Sequence, residues 1–272
     1  MVLKNMKHLV NRYLKLWLAF FRNTLSRDME FKMNFIFEIF IDMVYYGSLF
    51  FFFQIIFQFT DSLGDFNKQA GVIFLLTVYI SDLLYVFFLG GNVFGVNEKV
   101  KSGDLDFILL KPINSQFFIS FRYVTTNAII SFIILFSLLI RLTYAYHGEQ
   151  IILLNYIFYI ISIFFGAFIF YSFEFMISCL SFWFRNFSYA GWLAGELTKY
   201  SKRPDSIYKK WFRKSLFTIF PMALISSVPS RMLLFGPNIK LILLQFFIAI
   251  FFLFLTTIIW NRGLKIYESA SS

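Results

Sequence analysis

Long apolar runs constrain this chain more than any other feature. Residues 71–94, 117–140 and 239–260 are predominantly apolar over about 20 residues or more, the length that an α-helix needs to cross a bilayer. The runs are continuous, which excludes the alternating pattern of a transmembrane barrel. With 59% hydrophobic residues and 42 phenylalanines, the chain is also too apolar for a soluble domain. The sequence therefore predicts an all-α, polytopic membrane protein.

The apolar runs divide into six predicted transmembrane helices. They cover 33–59, 71–94, 117–140, most of 151–184, about 187–200 and 239–260. The fifth is short for a full crossing. Six crossings place both termini on the same side of the membrane.

The distribution of Lys and Arg bears on the orientation of these helices. With a cytoplasmic N-terminus, the first two outer loops carry few basic residues, as the positive-inside rule expects. Residues 199–214 break the rule, because seven Lys and Arg then lie outside. The alternative places this cluster inside and uses 215–235 as the fifth crossing. Charge counting leaves both topologies open.

Five carboxylates lie within or beside the predicted spans. Glu38 and Asp42 share one helix face at the start of the first span, where the interface can hydrate them, and we favour that interpretation. Asp82 lies near the middle of the second span, Glu174 inside the fourth and Glu196 inside the fifth. A carboxylate at the bilayer centre costs about 2.5–3.5 kcal/mol on insertion scales, so it usually has a partner or a function. Asp82, Glu174 and Glu196 are therefore candidates for a translocation path.

Residues 3–25 predict an amphipathic helix. Its apolar stripe consists of Met6, Val10, Tyr13, Leu14, Trp17, Phe21 and Leu25. Such a helix is suited to the headgroup layer of a membrane. The alternative is a solvated helix that packs on its own protein.

The stretch 96–114 is the longest polar interruption in the middle of the chain. Residues 96–102 can form a short helix that Gly103 ends, and Asp104 can cap a second one. Leu105, Ile108 and Leu109 would share a face of that second helix, before Pro112 ends the segment. Two tandem helices around a fixed glycine suggest a shaped docking surface for a motor protein.

Residues 201–237 are too broken for one straight span. They contain four of the five prolines, Pro204, Pro221, Pro229 and Pro237. Broken helices at membrane depth are tolerated only when they are buried in protein or line a cavity.

Net charge, cysteine and histidine content and the lack of a P-loop limit the kinds of partner and cofactor that the chain can have. The formal charge of +10 comes from basic residues between apolar runs, so anionic lipid explains it better than nucleic acid. Cys179 is the only cysteine, which excludes a disulfide within the chain. His8 and His147 are far apart, and we expect no metal site. The chain has no Gly-Lys pair and hence no P-loop, so it must take energy from elsewhere.

Three segments resemble the type-2 ABC exporter permeases. NEKVKSGDLDFILLKPIN is similar to the element between the second and third helices of that family, with Glu98–Lys99, Gly103, Asp104–Leu105, Leu109–Leu110 and Pro112 at the matching positions. Residues 203–236 resemble the stretch after the fifth helix, in which Pro204, Trp211 and Pro221 precede a final Leu-Leu-x-Gly. The ending WNRGLKIYESAS resembles the close of one branch of the family.

The resemblance implies a single permease domain over 1–272. It implies six helices, a cytoplasmic interfacial helix at 3–25 and an outward re-entrant hairpin at 201–237 that includes Pro204, Trp211, Pro221 and Pro229. It further implies a bacterial plasma-membrane protein with both termini cytoplasmic. In that branch two permeases, the same or different, often accompany one ATPase dimer. ATP and Mg would bind to the ATPase, and this chain would hold no cofactor and would not be catalytic alone.

In this family 96–114 is a coupling loop that contacts the ATPase. We expect docking through Glu98, Lys99, Lys101, Gly103, Asp104 and Asp106, with Leu105 and Leu109 seating the hydrophobic part. The alternative function is an ion-coupled secondary transporter or channel that uses Asp82, Glu174 and Glu196, although no inverted repeat is apparent. An intramembrane enzyme lacks a nucleophile–base pair in the sequence. A membrane scaffold would leave the paired docking helices unexplained.

Overall fold

The structure, a computed structural model, is built almost entirely from α-helices and describes residues 2–93, 95–147, 151–184, 187 and 189–267. The helices are α1 (Val2–Glu30), α2 (Lys32–Phe59), α3 (Lys68–Tyr85), α4 (Gly91–Val93), α5 (Gly95–Ser102), α6 (Leu105–Leu109), α7 (Ser115–Phe121), α8 (Asn127–Tyr144), α9 (Leu153–Cys179), α10 (Ala190–Thr198), α11 (Lys210–Thr218), α12 (Ala223–Leu234) and α13 (Ile239–Ile266). A π turn (Val86–Gly90) follows α3, and 3-10 turns occupy Leu180–Phe182, Lys199–Lys202 and Asp205–Ile207. Strands β1 (Ser62–Leu63) and β2 (Phe66–Asn67) form a hairpin.

The all-α, polytopic class is confirmed. Within the described ranges, five helical runs are long and apolar enough to cross a membrane: Lys32–Phe59, Lys68–Ser102, Asn127–Tyr144, Leu153–Phe182 and Ile239–Ile266. α11 and α12 pass the same test only as a pair, and they are bent by 98° to each other. The predicted fifth span is not a long helix, because α10 has only nine residues before a 3-10 turn.

The prediction of a third span at 117–140 is wrong at its start. α7 ends at Phe121, and the crossing helix α8 begins only at Asn127. The side chain of Asn92 explains the break, because its Oδ1 accepts from the Tyr123 backbone N–H at 2.7 Å and its Nδ2 donates to the Tyr123 carbonyl at 2.5 Å. These two bonds satisfy the backbone of Tyr123 outside a helix.

Three helices begin at an asparagine that caps them. Asn67, Asn114 and Asn238 each accept a backbone N–H three residues on, at 2.9, 2.8 and 3.2 Å. Such a bond satisfies one of the free N–H groups of the first turn. α3, α7 and α13 therefore start where the sequence supplies a cap.

The core is formed mainly around α9 and α3. α9 packs against α12 and α13, and α3 packs against α8 and α12. In the run Lys68–Ser102, 67% of the most apolar window is buried inside the chain, compared with 11% in α2 and 22% in α13. α2 and α13 therefore present wide apolar faces to whatever surrounds the protein.

One end of the molecule joins the polar stretch 96–114 to both terminal helices. Arg12 of α1 donates to the Pro112 carbonyl at 2.7 Å, and the Tyr13 hydroxyl accepts from the Asn114 N–H at 3.3 Å. From α13, the indole of Trp260 donates to Ser115 at 3.3 Å. The start of α1 and the end of α13 therefore lie on the same side as this stretch.

The opposite end is held by ion pairs. Arg231 of α12 contacts Asp65 of the β-hairpin at 2.6 Å and Asp205 at 3.1 Å. Arg213 of α11 contacts Asp205 at 2.6 Å. Gly64 has φ of +63° in the hairpin turn, and a Cβ there would lie 2.0 Å from the Ser206 hydroxyl, so the turn requires glycine. Much of the basic cluster 199–214 thus faces away from the stretch 96–114.

α1 extends beyond the predicted 3–25 and uses only part of its apolar stripe within the chain. The centre of the Trp17 ring lies 5.5 Å from that of Phe88 at a tilt of 32°, and Phe20 contacts Phe118 edge to face. Val10 and Leu14 remain exposed. One face packs on the protein, as in the alternative interpretation, while the exposed apolar residues leave placement in the headgroup layer as a prediction.

Candidate functional site

Residues 96–114 have the predicted helix–glycine–helix form, and we call them the coupling loop after the family element that they resemble. α5 and α6 meet at Gly103, whose φ of +83° favours glycine. The Asp106 N–H donates to the Gly103 carbonyl at 3.1 Å. Asp104 does not cap α6 with its side chain as predicted, because its carboxylate accepts from the Ser102 hydroxyl at 2.8 Å instead. The turn therefore has a defined shape.

Leu105 anchors the coupling loop to the core, so it cannot seat a partner. Val96 and Leu105 are fully buried, and Ile108 is nearly so. Leu109, predicted to share their face, is exposed. The expectation that Leu105 forms part of a docking surface is corrected, since its side chain already packs inside this chain.

The outer surface of the coupling loop combines charge with large apolar side chains. Among the predicted docking residues, Glu98, Lys101 and Asp104 are exposed, and Lys99 and Asp106 are half-buried. Phe107 is 69% exposed and Leu110 is 82% exposed. The sequence does not identify Phe107 and Leu110 as docking residues, because a five-residue helix is too short for periodicity to assign its faces.

The C-terminal end of α13 meets the same loop. Tyr267 lies beside Asp106, and burial together with that carboxylate raises the pKa of Tyr267 above its ordinary value of 10.0. The coupling loop is thus linked to α1, α7 and α13.

A second group of polar side chains lies deep between the spans. The Tyr85 hydroxyl of α3 donates to the Glu174 carboxylate of α9. Lys202, in the turn after α10, donates to the Tyr45 hydroxyl of α2 at 2.8 Å. Lys202 also lies within electrostatic range of Asp82 and Glu174. No ion pair within 4.0 Å joins Lys202 to either carboxylate in the described residues, so Lys202 acts on them only through its electrostatic field. We call these neighbouring side chains the Lys202 cluster (Tyr45, Asp82, Tyr85, Glu174 and Lys202).

Glu196 and Glu38 stand apart from the Lys202 cluster. Glu196 is partly exposed and pairs with Lys199 on its own helical segment. Glu38 is exposed and accepts from Asn34 one turn earlier at 3.0 Å. The structure does not bring Glu196 to the other candidate path residues.

Asp42 has partners in a neighbouring helix. Its carboxylate accepts from Ser131 at 3.0 Å and from Asn127 at 3.4 Å, both on α8. Because Asn127 is the first residue of α8, these bonds lie near the end of that helix, and the interfacial interpretation of Asp42 stays a prediction.

The segment 201–237, which includes the bent pair α11–α12, contains the remaining predicted residues. Pro204 precedes the 3-10 turn Asp205–Ile207, Trp211 is 72% exposed on α11, and Pro221 lies in the bend. Pro229 is inside α12 and has no N–H to donate to the Ile225 carbonyl.

Other helices satisfy the backbone around this proline. Ser81 of α3 donates to the Ile225 carbonyl at 3.2 Å. Gln245 of α13 donates to the Leu224 carbonyl at 2.7 Å and to the Ser162 carbonyl at 2.8 Å. α12 is therefore buried in protein, the condition under which a broken helix is tolerated at membrane depth, whereas α11 is only partly buried.

A family comparison decides the class of this protein. The model of the ABC-2 family transporter proteins matches residues 43–271. The chain belongs to this family. The resemblance that the three sequence segments suggested is confirmed, and the protein is a membrane subunit of the ABC transporter class. Comparison with curated proteins and with solved structures finds no match.

The described residues contain no group of three or more His, Cys, Asp or Glu side chains that could hold a metal ion. Lys202 is the main residue that the sequence did not identify, because it belongs to the basic cluster 199–214 and no local signal separates it from the other six cations. Its link to Tyr45, 157 residues earlier, is a non-local contact.

Proposed function

We propose that this ABC-2 family protein is the permease subunit of an ATP-driven exporter, and that its coupling loop receives the motion of a separate ATPase. The observation that supports the proposal most directly is that the coupling loop has one face buried in the protein and one face exposed. Val96 and Leu105 fix it inside, while Phe107 and Leu110 are exposed next to charged side chains. A large apolar anchor with a polar rim is the usual anatomy of a protein interface.

The loop is placed to move the membrane core. α3, the π turn, α4 and α5 follow one another in the run Lys68–Ser102, which also contains Asp82 and Tyr85. A movement of α5 caused by the ATPase would therefore be transmitted to α3, which contributes Asp82 and Tyr85 to the Lys202 cluster. ATP and Mg bind to the ATPase dimer, and this chain supplies no catalytic group.

We propose that Asp82 and Glu174, with Lys202, border the translocation path, and that Glu196 does not. The wide apolar faces of α2 and α13 have room for lipid and for a second permease, the same or a different one. Two membrane halves would rearrange the path between them when the ATPase closes.

The proposed topology has six crossings with a re-entrant hairpin. α10 and residues 199–206 form the fifth crossing, which ends beside Asp65. α11 and α12 then enter from that end, since Phe220 near their bend reaches Phe173 and the end of α12 returns to Asn155. The coupling loop and both terminal helices are cytoplasmic, in a bacterial plasma membrane.

Co-purification tests the docking assignment. The chain is tagged, extracted in mild detergent and assayed for a bound ATPase. We expect an ATP-hydrolysing subunit that is lost in Glu98→Lys/Asp104→Lys. The matched control, Lys209→Glu/Lys210→Glu, changes two exposed charges in the outer basic cluster. Retention of the ATPase by the loop variant, or equal loss in the control, would contradict the assignment.

A further inference from the structure

A basic pocket lies directly behind the coupling loop. It has a volume of about 370 Å³ between α5, α6 and α7. Lys99, Lys111 and Arg122 line it, together with Phe118, Tyr123 and one carboxylate, Asp104. Because three cations face one anion, the pocket has a surplus of positive charge. The docking assignment accounts for Lys99 and Asp104 but not for Lys111 and Arg122.

Aromatic rings hold Arg122 in place. Its guanidinium carbon lies 5.1 Å from the centre of the Phe20 ring, 5.4 Å from Tyr123 and 5.9 Å from Phe118. Lys111 lies 5.5 Å from the same Phe118 ring. Cation–π contacts orient a guanidinium without neutralising it. Both cations therefore keep their charge while their positions are fixed.

These basic side chains have no acidic partner in the described part of the chain. No ion pair within 4.0 Å joins Lys99, Lys111 or Arg122 to a carboxylate there. Asp104 is engaged by Ser102. An oriented guanidinium with free N–H donors fits a phosphate, which it can bind in bidentate fashion.

The position of the pocket indicates where the phosphate comes from. Arg122 lies five residues before Asn127, where α8 enters its apolar span. Phe20 of the amphipathic helix α1 is buried against it, while Leu14 and Leu18 of the same helix are exposed. A position just before a membrane-spanning helix and beside an amphipathic helix is typical of the headgroup layer, where basic side chains attract anionic lipid.

We propose that this pocket binds the phosphate of an anionic phospholipid, held by Arg122 and Lys111. The bound headgroup would brace α6 against α7, behind Phe107 and Asp104. Its effect on coupling rests on the proposed function, but binding itself does not, so the site can be measured without ATPase activity.

Lipid binding by the purified, delipidated chain and its associated subunits tests the site. The probes are a short-chain phosphatidylglycerol, the matching phosphatidylcholine and inorganic phosphate, measured by native mass spectrometry. We expect specific retention of phosphatidylglycerol, weakened on the order of tenfold in Arg122→Gln/Lys111→Gln. Lys209→Gln/Lys210→Gln, which removes two exposed charges elsewhere, should bind as the wild type does.

Four results would overturn the proposal. They are unchanged affinity in the double variant, equal binding of phosphatidylcholine, competition by inorganic phosphate at the same concentration as the lipid, and displacement of the lipid by added ATPase subunit. The last two would assign the pocket to a soluble anion or to the protein interface. Lys111 is exposed, so Lys111→Gln alone should fold and show a smaller loss of affinity in the same direction.

Discussion

Replacement of Lys202 by methionine should destabilise the membrane core. The change removes the hydrogen bond to Tyr45 and the positive charge that acts on Asp82 and Glu174. Because Lys202 Nζ bonds the Tyr45 hydroxyl and no carboxylate, the relevant magnitude is that of a hydrogen bond to a charged group. We therefore expect a loss of roughly 2–3 kcal/mol.

Lys199 is the matched control. It lies in the same 3-10 turn, but its partner Glu196 is partly exposed and its own side chain is 61% exposed. Exposed pairs contribute less than about 1 kcal/mol. Lys199→Met should therefore have little effect on stability.

Cys179 supplies the assay. It is the only cysteine and is buried, so a thiol-reactive fluorophore reports its exposure on heating. At about 2–4 °C per kcal/mol, Lys202→Met should lower the apparent melting temperature by roughly 4–12 °C, and Lys199→Met by no more than about 4 °C.

A second substitution isolates the electrostatic contribution of Lys202 to the stability of the protein. In Lys202→Met/Asp82→Asn the unpaired charge is gone, so the loss should be smaller than the sum of the two single losses. Equal melting temperatures for Lys202→Met and Lys199→Met, or simple additivity in the double variant, would refute the reasoning.

Further changes test the packing and the two ends of the molecule. Gly166→Ala should destabilise the protein by about 1–3 kcal/mol, because its Cβ would lie 3.0 Å from the Ile225 carbonyl oxygen. Gly195→Ala, in open space, should instead stabilise α10 by up to about 1 kcal/mol. Shifts of the melting temperature in the same direction for both variants would contradict this. Asp205→Ala should cost about 3 kcal/mol, since the fully buried carboxylate holds two arginines, and a melting temperature within error of the wild type would count against that network. Tyr267→Phe should change the free energy of unfolding little below pH 10 and should reduce the loss of stability that the wild type shows above pH 10. The reason is that the pKa of Tyr267 is higher in the folded than in the unfolded state, so the wild type loses stability as this tyrosine ionises. Parallel curves of stability against pH for the two proteins would disprove this.

Local signals predicted the helices and turns of the coupling loop well. Gly103 and Pro112 mark the end of α5 and the end of the segment, and the structure has the corresponding turn. The burial of Leu105 could not be predicted, since it depends on which face of a one-turn helix meets the core. Which face of α6 is buried depends on its packing against α7 and against helices that are distant in the sequence.

The errors in span position have non-local causes. The start of α8 is set by Asn92, which binds the backbone of Tyr123 from 31 residues away. The partners of Asp42, Asn127 and Ser131, lie about 85 residues later and could not be predicted from its own helix. A single sequence shows where a charge lies along a helix but not which helix faces it.

The contact between the coupling loop and an ATPase is the central claim, and photocrosslinking tests it most directly. A photoreactive residue at Phe107 should crosslink to the ATP-binding subunit in native membranes. The same residue at Trp211, which is 72% exposed on α11 and proposed to face outward, should not. Crosslinking at Phe107 alone would support the account. No ATPase product at Phe107, or an equal product at Trp211, would contradict it.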